Sequence, residues 1–254
     1  MESLAGSLIP SALTPLQTLI LVAASFGTSF ITVSFGIGGG ATMIALMSYL
    51  VPAAALIPVH GAVQLGSNGG RAIVLRKHVD WRRIAAFSGG AVIGAAIGAA
   101  IAVRLQSDLI LIGLGVFIVA STWIPLKRMA ALQAAGFALI GLFTTFIGMF
   151  FGATGPMNAA LLSNSFSERR IVVGSLAALM TAQHGFKVLG FALVGFAFWP
   201  WLPLVLIMIA SGFAGTVAGS RLLYAIPEQS FRLVLKSILT LLAAGMVYRG
   251  LAEL

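Results

Sequence analysis

The chain has 254 residues, 59% of them hydrophobic and only 8% charged, with a mean hydropathy of +1.07. Soluble domains carry about 25% charged residues, so this composition excludes a soluble globular domain and describes an integral membrane protein. The lack of cysteine excludes disulfides, thiolate metal sites and cysteine catalysis. The formal charge of +9 has no polar domain to present it to nucleic acid, and its ordinary use is to hold loops in the cytoplasm.

Met1-Glu2-Ser3-Leu4 lacks the basic n-region of a signal peptide, and Thr14 to Phe35 reads as the first membrane segment. A full crossing needs about 20 apolar residues. In chain order the apolar stretches are 16–50, 53–75, 84–103, 108–126, 133–166, 171–198, 203–221 and 232–250. Two of them are broken by glycine: Thr32–Thr42 holds Gly36, Gly38, Gly39 and Gly40, and Phe146–Asn158 holds Gly148, Gly152 and Gly155. Backbone that leaves the helix inside a bilayer must be buried in protein or face a polar cavity. A matched pair of such breaks points to a transporter's binding site. Each broken stretch can be two full spans or a re-entrant hairpin of half-helices.

The basic clusters are Arg76, Lys77, Arg82 and Arg83, then Lys127 and Arg128, then Arg169 and Arg170, then Arg221 and Arg232. Placing them all inside puts the Arg104–Asp108 turn, the Phe198–Trp201 loop and both termini outside, in a multi-pass protein of the cell inner (plasma) membrane. His60-Gly61 and His184-Gly185 occupy corresponding spans, and Gly94–Arg104 is similar to Gly215–Arg221. The loops after the two histidine spans differ in charge, Arg76–Arg83 against Trp199-Pro200-Trp201. Equivalent loops of opposite character indicate inverted repeats. The expected fold is therefore an all-α integral membrane protein with two inverted-topology repeats, 1–128 and 129–254, forming one compact transmembrane domain. Each repeat would be a glycine-broken helical hairpin plus three transmembrane helices. Gly90, Gly94 and Gly98, and Gly212, Gly215 and Gly219, read as close helix packing.

The polar residues inside the spans are few. At about 100° per residue, His60, Gln64, Asn68 and Arg71 share one arc of the span 53–75. Arg71 can instead snorkel toward Arg76 and Lys77. Gln183, His184 and Lys187 share a face of the span 171–198. No span holds an acid, since Glu2, Asp80, Asp108, Glu168, Glu228 and Glu253 all fall outside them. Midplane lysine costs about 2.5–3.5 kcal/mol on insertion scales, so Lys187 either awaits an anion or is neutral by desolvation. Half-helices starting after Gly40 and Gly155 would aim free N–H groups and partial positive charge inward. An anion is then expected at the amides of Gly38, Gly39 and Gly40 and of Gly152 and Gly155. Thr42, His60, Gln64, Asn68, Thr154, Asn158, Gln183 and His184 complete the expected substrate site, and Lys187 and Arg71 supply charge. No metal or cofactor is expected, and Gly36–Gly40 does not fit a nucleotide-binding loop. Lys236 reads as snorkelling, His78 as a loop residue, and Tyr49, Tyr224 and Tyr248 as interfacial; the methionines read as packing.

Phe35-Gly36-Ile37-Gly38-Gly39-Gly40, with Gln64-x-x-Ser67-Asn68-x-x-Arg71 and Val79-Asp80-Trp81-Arg82, resembles the sulfite exporter TauE/SafE family, also described as toluene-sulfonate uptake permeases. The resemblance spans nearly the whole chain. It implies transport, often export, of small sulfur-containing anions such as sulfite, thiosulfate, sulfoacetate or related sulfonates. Many members carry proline soon after the triple glycine, whereas this chain reads Ala41-Thr42-Met43. The expected function is a secondary transporter with a midplane anion site, no enzyme, embedded in the lipid bilayer. If proton-coupled, it would use His60, His184 or Lys187; the oligomeric state is left open. A passive anion channel and, further off, a membrane haem protein or enzyme ligated by His60 and His184 are the alternatives.

Overall fold

The computed structural model describes residues 9–35, 38–124, 134–166, 168–220, 228–252 and 254. Met1–Leu4, Gly36, Lys127, Arg128, Arg221, Tyr224 and Glu253, and the side chains of Glu228 and Arg232, lie outside that description. Among the described residues every regular element is helical. The first broken stretch gives α1 (Pro15–Phe35) and α2 (Gly39–Met47), followed by α3 (Ala53–Val74), α4 (Trp81–Ala102) and α5 (Ser107–Trp123). The second gives α6 (Ala134–Phe151) and α7 (Gly155–Ser165), followed by α8 (Arg169–Leu193), α9 (Leu202–Ser220) and α10 (Glu228–Ala252). The expected span 171–198 ends early because Gly195 takes φ +96° and turns the chain, its N–H donating to Ala192 O at 3.1 Å.

Among the described residues, five segments are long and apolar enough to cross a membrane: Pro15–Ser34, Trp81–Ala102, Arg170–Leu193, Trp199–Ser220 and Leu233–Ala252. The 22 residues of α3 have the length, but its polar stripe lowers its hydropathy. Leu16, Leu19, Leu193, Leu206 and Leu241 project outward from these helices, the surface that lipid tails require.

The breaks resolve into unequal arms. At 1.5 Å per residue, the 21 residues of α1 span about 32 Å and the 18 of α6 about 27 Å, while the 9 of α2 and 11 of α7 reach only about 14 and 17 Å. Against a hydrocarbon core of about 30 Å, each break joins one arm of membrane length to one short arm. Gly38 (φ +101°) and Gly152 (φ +66°) supply the left-handed backbone at the two turns. Pro156 in the first turn of α7 needs no N–H partner there.

Glycine sets the helix pairing. Cβ atoms at Gly90 and Gly94 of α4 would collide with the Ala138 and Leu142 carbonyls of α6, and one at Gly141 of α6 with the Phe87 carbonyl of α4. On the other flank, Cβ atoms at Gly212, Gly215 and Gly219 of α9 would strike Ser25, Ser29, Phe26 and Val33 of α1. The members of each pair run in the same direction, since 90 and 94 meet 138 and 142, and 212 and 219 meet 29 and 33. Between these flanks α3 and α8 pack antiparallel at the centre, and α5 packs on α10. The short arm α2 lies against α1, α3 and α10, and α7 against α8 and α5. Beyond α3, the Asp80 side chain caps α4 by accepting from the Arg83 N–H at 3.1 Å, while the Asp80 N–H donates to Ser175 Oγ of α8 at 3.0 Å.

Candidate functional site

The stripe on α3 forms one hydrogen-bonded column. Asn68 Nδ2 donates to the Gln64 carbonyl at 2.8 Å and to Gln64 Oε1 at 3.0 Å, and Arg71 Nη1 donates to Asn68 Oδ1 at 3.1 Å. Arg71 is 3% exposed, so its guanidinium turns back along the stripe instead of snorkelling, and its Nε has no partner among the described residues. At the other end, His60 Nε2 lies 3.0 Å from the Gly40 carbonyl. A carbonyl only accepts, so Nε2 carries the proton, and His60 Nδ1 is buried without a partner. The His184 ring of α8 stands edge-on to His60 with centroids 5.8 Å apart, and its Nδ1 also lacks a partner.

These groups surround a cavity of about 40 Å³. His60, Gln64, Asn68 and Arg71 form one wall, with His184 beside them. The starts of the short arms form another: Gly38, Gly40 and Ala41 from the first break, and Gly152, Ala153, Gly155 and Pro156 from the second. Leu176 and Met180 of α8 and Thr32 of α1 complete it. A water needs about 10–15 Å³ of such space, so the cavity holds about three waters or one small oxyanion. A porphyrin has no room there. Neither short arm has a side-chain cap at its N-terminus, and first-turn amides have no intrahelical acceptor. The described acids Asp80, Asp108 and Glu168 sit at helix starts away from the cavity. No described group of His, Asp and Glu could hold a metal ion.

The other expected site residues lie behind the cavity wall. Asn158 Nδ2 donates to Gln183 Oε1 at 2.8 Å, and Gln183 Nε2 donates to Thr154 Oγ1 at 2.8 Å and to the Thr144 carbonyl at 2.9 Å. This fully buried network fixes the start of α7 against α8 and α6. Thr42 donates to the Gly38 carbonyl at 3.0 Å, and Gly39 is pressed against Thr28 and Thr32 of α1. Lys187 is fully buried, its Nζ has no partner among the described residues, and it does not line the cavity. The lining residues Thr32, Ala41, Ala153, Pro156, Leu176 and Met180 are not among the expected site residues. Positions 176, 180 and 184 share one helical face, so the spacing from His184 was the available signal for two of them.

A sequence model of the sulfite exporter TauE/SafE family matches residues 21–246. The chain belongs to the TauE/SafE family. No curated protein and no solved structure matches it. Membership makes it a multi-pass membrane transporter of the sulfite-exporter type, acting on sulfur anions. In this TauE/SafE chain the glycine cluster and the Gln64–Arg71 motif meet at the cavity, whereas Val79–Arg82 builds the helix cap that seats α4 on α8.

Proposed function

We propose that this protein is a secondary transporter that exports a small sulfur oxyanion, with sulfite as the representative substrate, by alternating access. The anion binds in the 40 Å³ cavity near the midplane. It is held by first-turn amides of α2 and α7, by the Arg71 guanidinium, and by Gln64 and Asn68. The observation that carries this reading is the convergence of two uncapped helix N-termini on one cavity. Around it lie unpartnered, buried nitrogens of His60, His184 and Arg71, with no described carboxylate. Amide dipoles and a cation, in a space that small and that lacks acids, favour an anion.

Residues 1–128 and 129–254 act as inverted repeats that rock against each other. The helix pairing supports this: exchanging the halves turns the α4–α6 contact into α9–α1 and α4–α8 into α9–α3, and it returns α3–α8 and α5–α10 to themselves. We take the end with the exposed Trp199 and the 103–107 turn as the outer one, a reading in which both termini face outside the inner membrane. Moving one negative charge out of a negative interior is downhill by about 2.3 kcal/mol per 100 mV. Any proton that accompanies it is carried by His60 or His184.

Thermal unfolding of the purified protein with sulfite, thiosulfate, sulfoacetate, taurine, sulfate and carboxylates tests the reading, together with sulfite flux in proteoliposomes. Sulfite is expected to raise Tm and to show saturable flux. A response confined to zwitterions or cations refutes the anion site, and flux that does not saturate makes the protein a channel.

A further inference from the structure

A second cavity, of about 290 Å³, lies at the end that carries the Trp199–Trp201 turn. Ile57 and Pro58 of α3, Met149 of α6, and Phe191 and Phe196 are among its apolar walls. The two cavities share no lining residue. Along α8, His184 lines the polar cavity and Phe191 the larger one, and Lys187 stands between them on the same helical face. Along α3, Gln64 lines the first and Ile57 the second, and Gly61 falls between these two on the same helical face, one residue past His60.

Lys187 fills that gap in a specific way. A Cβ at Gly61 would lie 2.9 Å from Lys187 Cδ and 3.4 Å from Cγ, so the stem rests in the groove left by the missing side chain. Its Nζ is fully buried and has no partner among the described residues, and it lines neither cavity. We propose that Lys187 is the partition between the two cavities and the second station of the anion. The anion leaves the polar cavity by pairing with Lys187, whose stem swings off Gly61 and opens the way to the larger cavity. This rests on the anion-transport reading above. It assigns Lys187 to passage and leaves resting binding to the α2, α3 and α7 groups. A buried cation is costly without a partner, and a passing anion supplies one only in transit. The larger cavity is wide enough to receive the anion with several waters.

Two measurements decide it. In proteoliposomes, Lys187→Met is expected to keep the sulfite-induced rise in Tm while sulfite flux falls about ten-fold or more, the scale of one lost charge-assisted contact. Wild-type flux in Lys187→Met overturns the proposal. Loss of sulfite binding in that variant also overturns it, because Lys187 would then belong to the resting site.

The second measurement needs no substrate. The chain has no native cysteine, so single cysteines report access by a membrane-impermeant thiol reagent added from the Trp199 end. Ala54→Cys, in the larger cavity, is expected to label in every background. Ala153→Cys, in the polar cavity, is expected to label only when combined with Lys187→Ala. Labelling of Ala153→Cys with Lys187 present, or none after Lys187→Ala, removes Lys187 as the partition. If the wild type neither binds nor moves sulfite, the transport reading fails, and the labelling pattern still decides the partition.

Discussion

Replacing Arg71 by Met separates binding from folding, because the two respond with opposite sign. Arg71 is 3% exposed, donates one hydrogen bond to Asn68 Oδ1 at 3.1 Å and leaves its Nε without a partner among the described residues. Truncation strands Asn68 Oδ1, which costs about 1–3 kcal/mol. It also removes a buried cation with no described acid beside it, and the desolvation penalty of such an ion is several kcal/mol. Unliganded stability is therefore expected to hold or rise. Anion binding moves the other way. A hydrogen bond to a charged group contributes about 1.5–3 kcal/mol, so the sulfite Kd is expected to rise about 10- to 150-fold. Thermal unfolding in detergent across a sulfite titration reads both effects from one set of melts, since ligand raises Tm by mass action. A variant that melts several degrees lower without sulfite, yet keeps the wild-type Kd, would refute the reasoning and make Arg71 a structural hydrogen-bonding group.

Gly152→Ala forces a left-handed alanine, at about 1–2 kcal/mol, and drives its Cβ into Ile44 Cδ1; lower Tm and weaker sulfite binding are expected together in the same melts. Gly94→Val wedges α4 off the Leu142 carbonyl of α6 and is expected to cost at least about 1–3 kcal/mol. By contrast Gly27→Ala meets nothing within 4 Å and is expected to gain up to about 1 kcal/mol of helix propensity; the two Tm values compare them directly. Gln183→Leu leaves Thr154 Oγ1, the Thr144 carbonyl and Asn158 short of partners, at about 1–3 kcal/mol for each group stranded, and should lower Tm. Asp80→Ala is expected to lose about 0.5–2 kcal/mol of cap stability, most of it restored in Asp80→Asn.

Arg71 and Lys187 show how far the sequence could be read. Both were singled out as intramembrane cations, and the spacing placed Arg71 on one arc with His60, Gln64 and Asn68. Periodicity reports the face on which a side chain leaves its own helix; it is silent on what that face meets. Only the packing of α3 on α8 turned Arg71 back onto Asn68 and laid the Lys187 stem across Gly61, outside the cavity. Gln183, Thr154 and Asn158 carry the same lesson. Their polarity inside apolar segments was evident, but their partners lie on other helices, and the structure shows them bonding to one another behind the wall.

By itself the sequence determined the membrane class, the position of both breaks, the polar stripe and the absence of acids from the spans. Each of these depends on residue type and local spacing, which lipid and helix geometry convert directly into structure. The tertiary structure decided that each break joins a long arm to a short one, that the two short arms aim their N-termini at one cavity, and which polar residues line it. Those outcomes depend on contacts between segments far apart in the chain, such as the glycine-set approach of α4 to α6 and α1 to α9, and no local pattern encodes them.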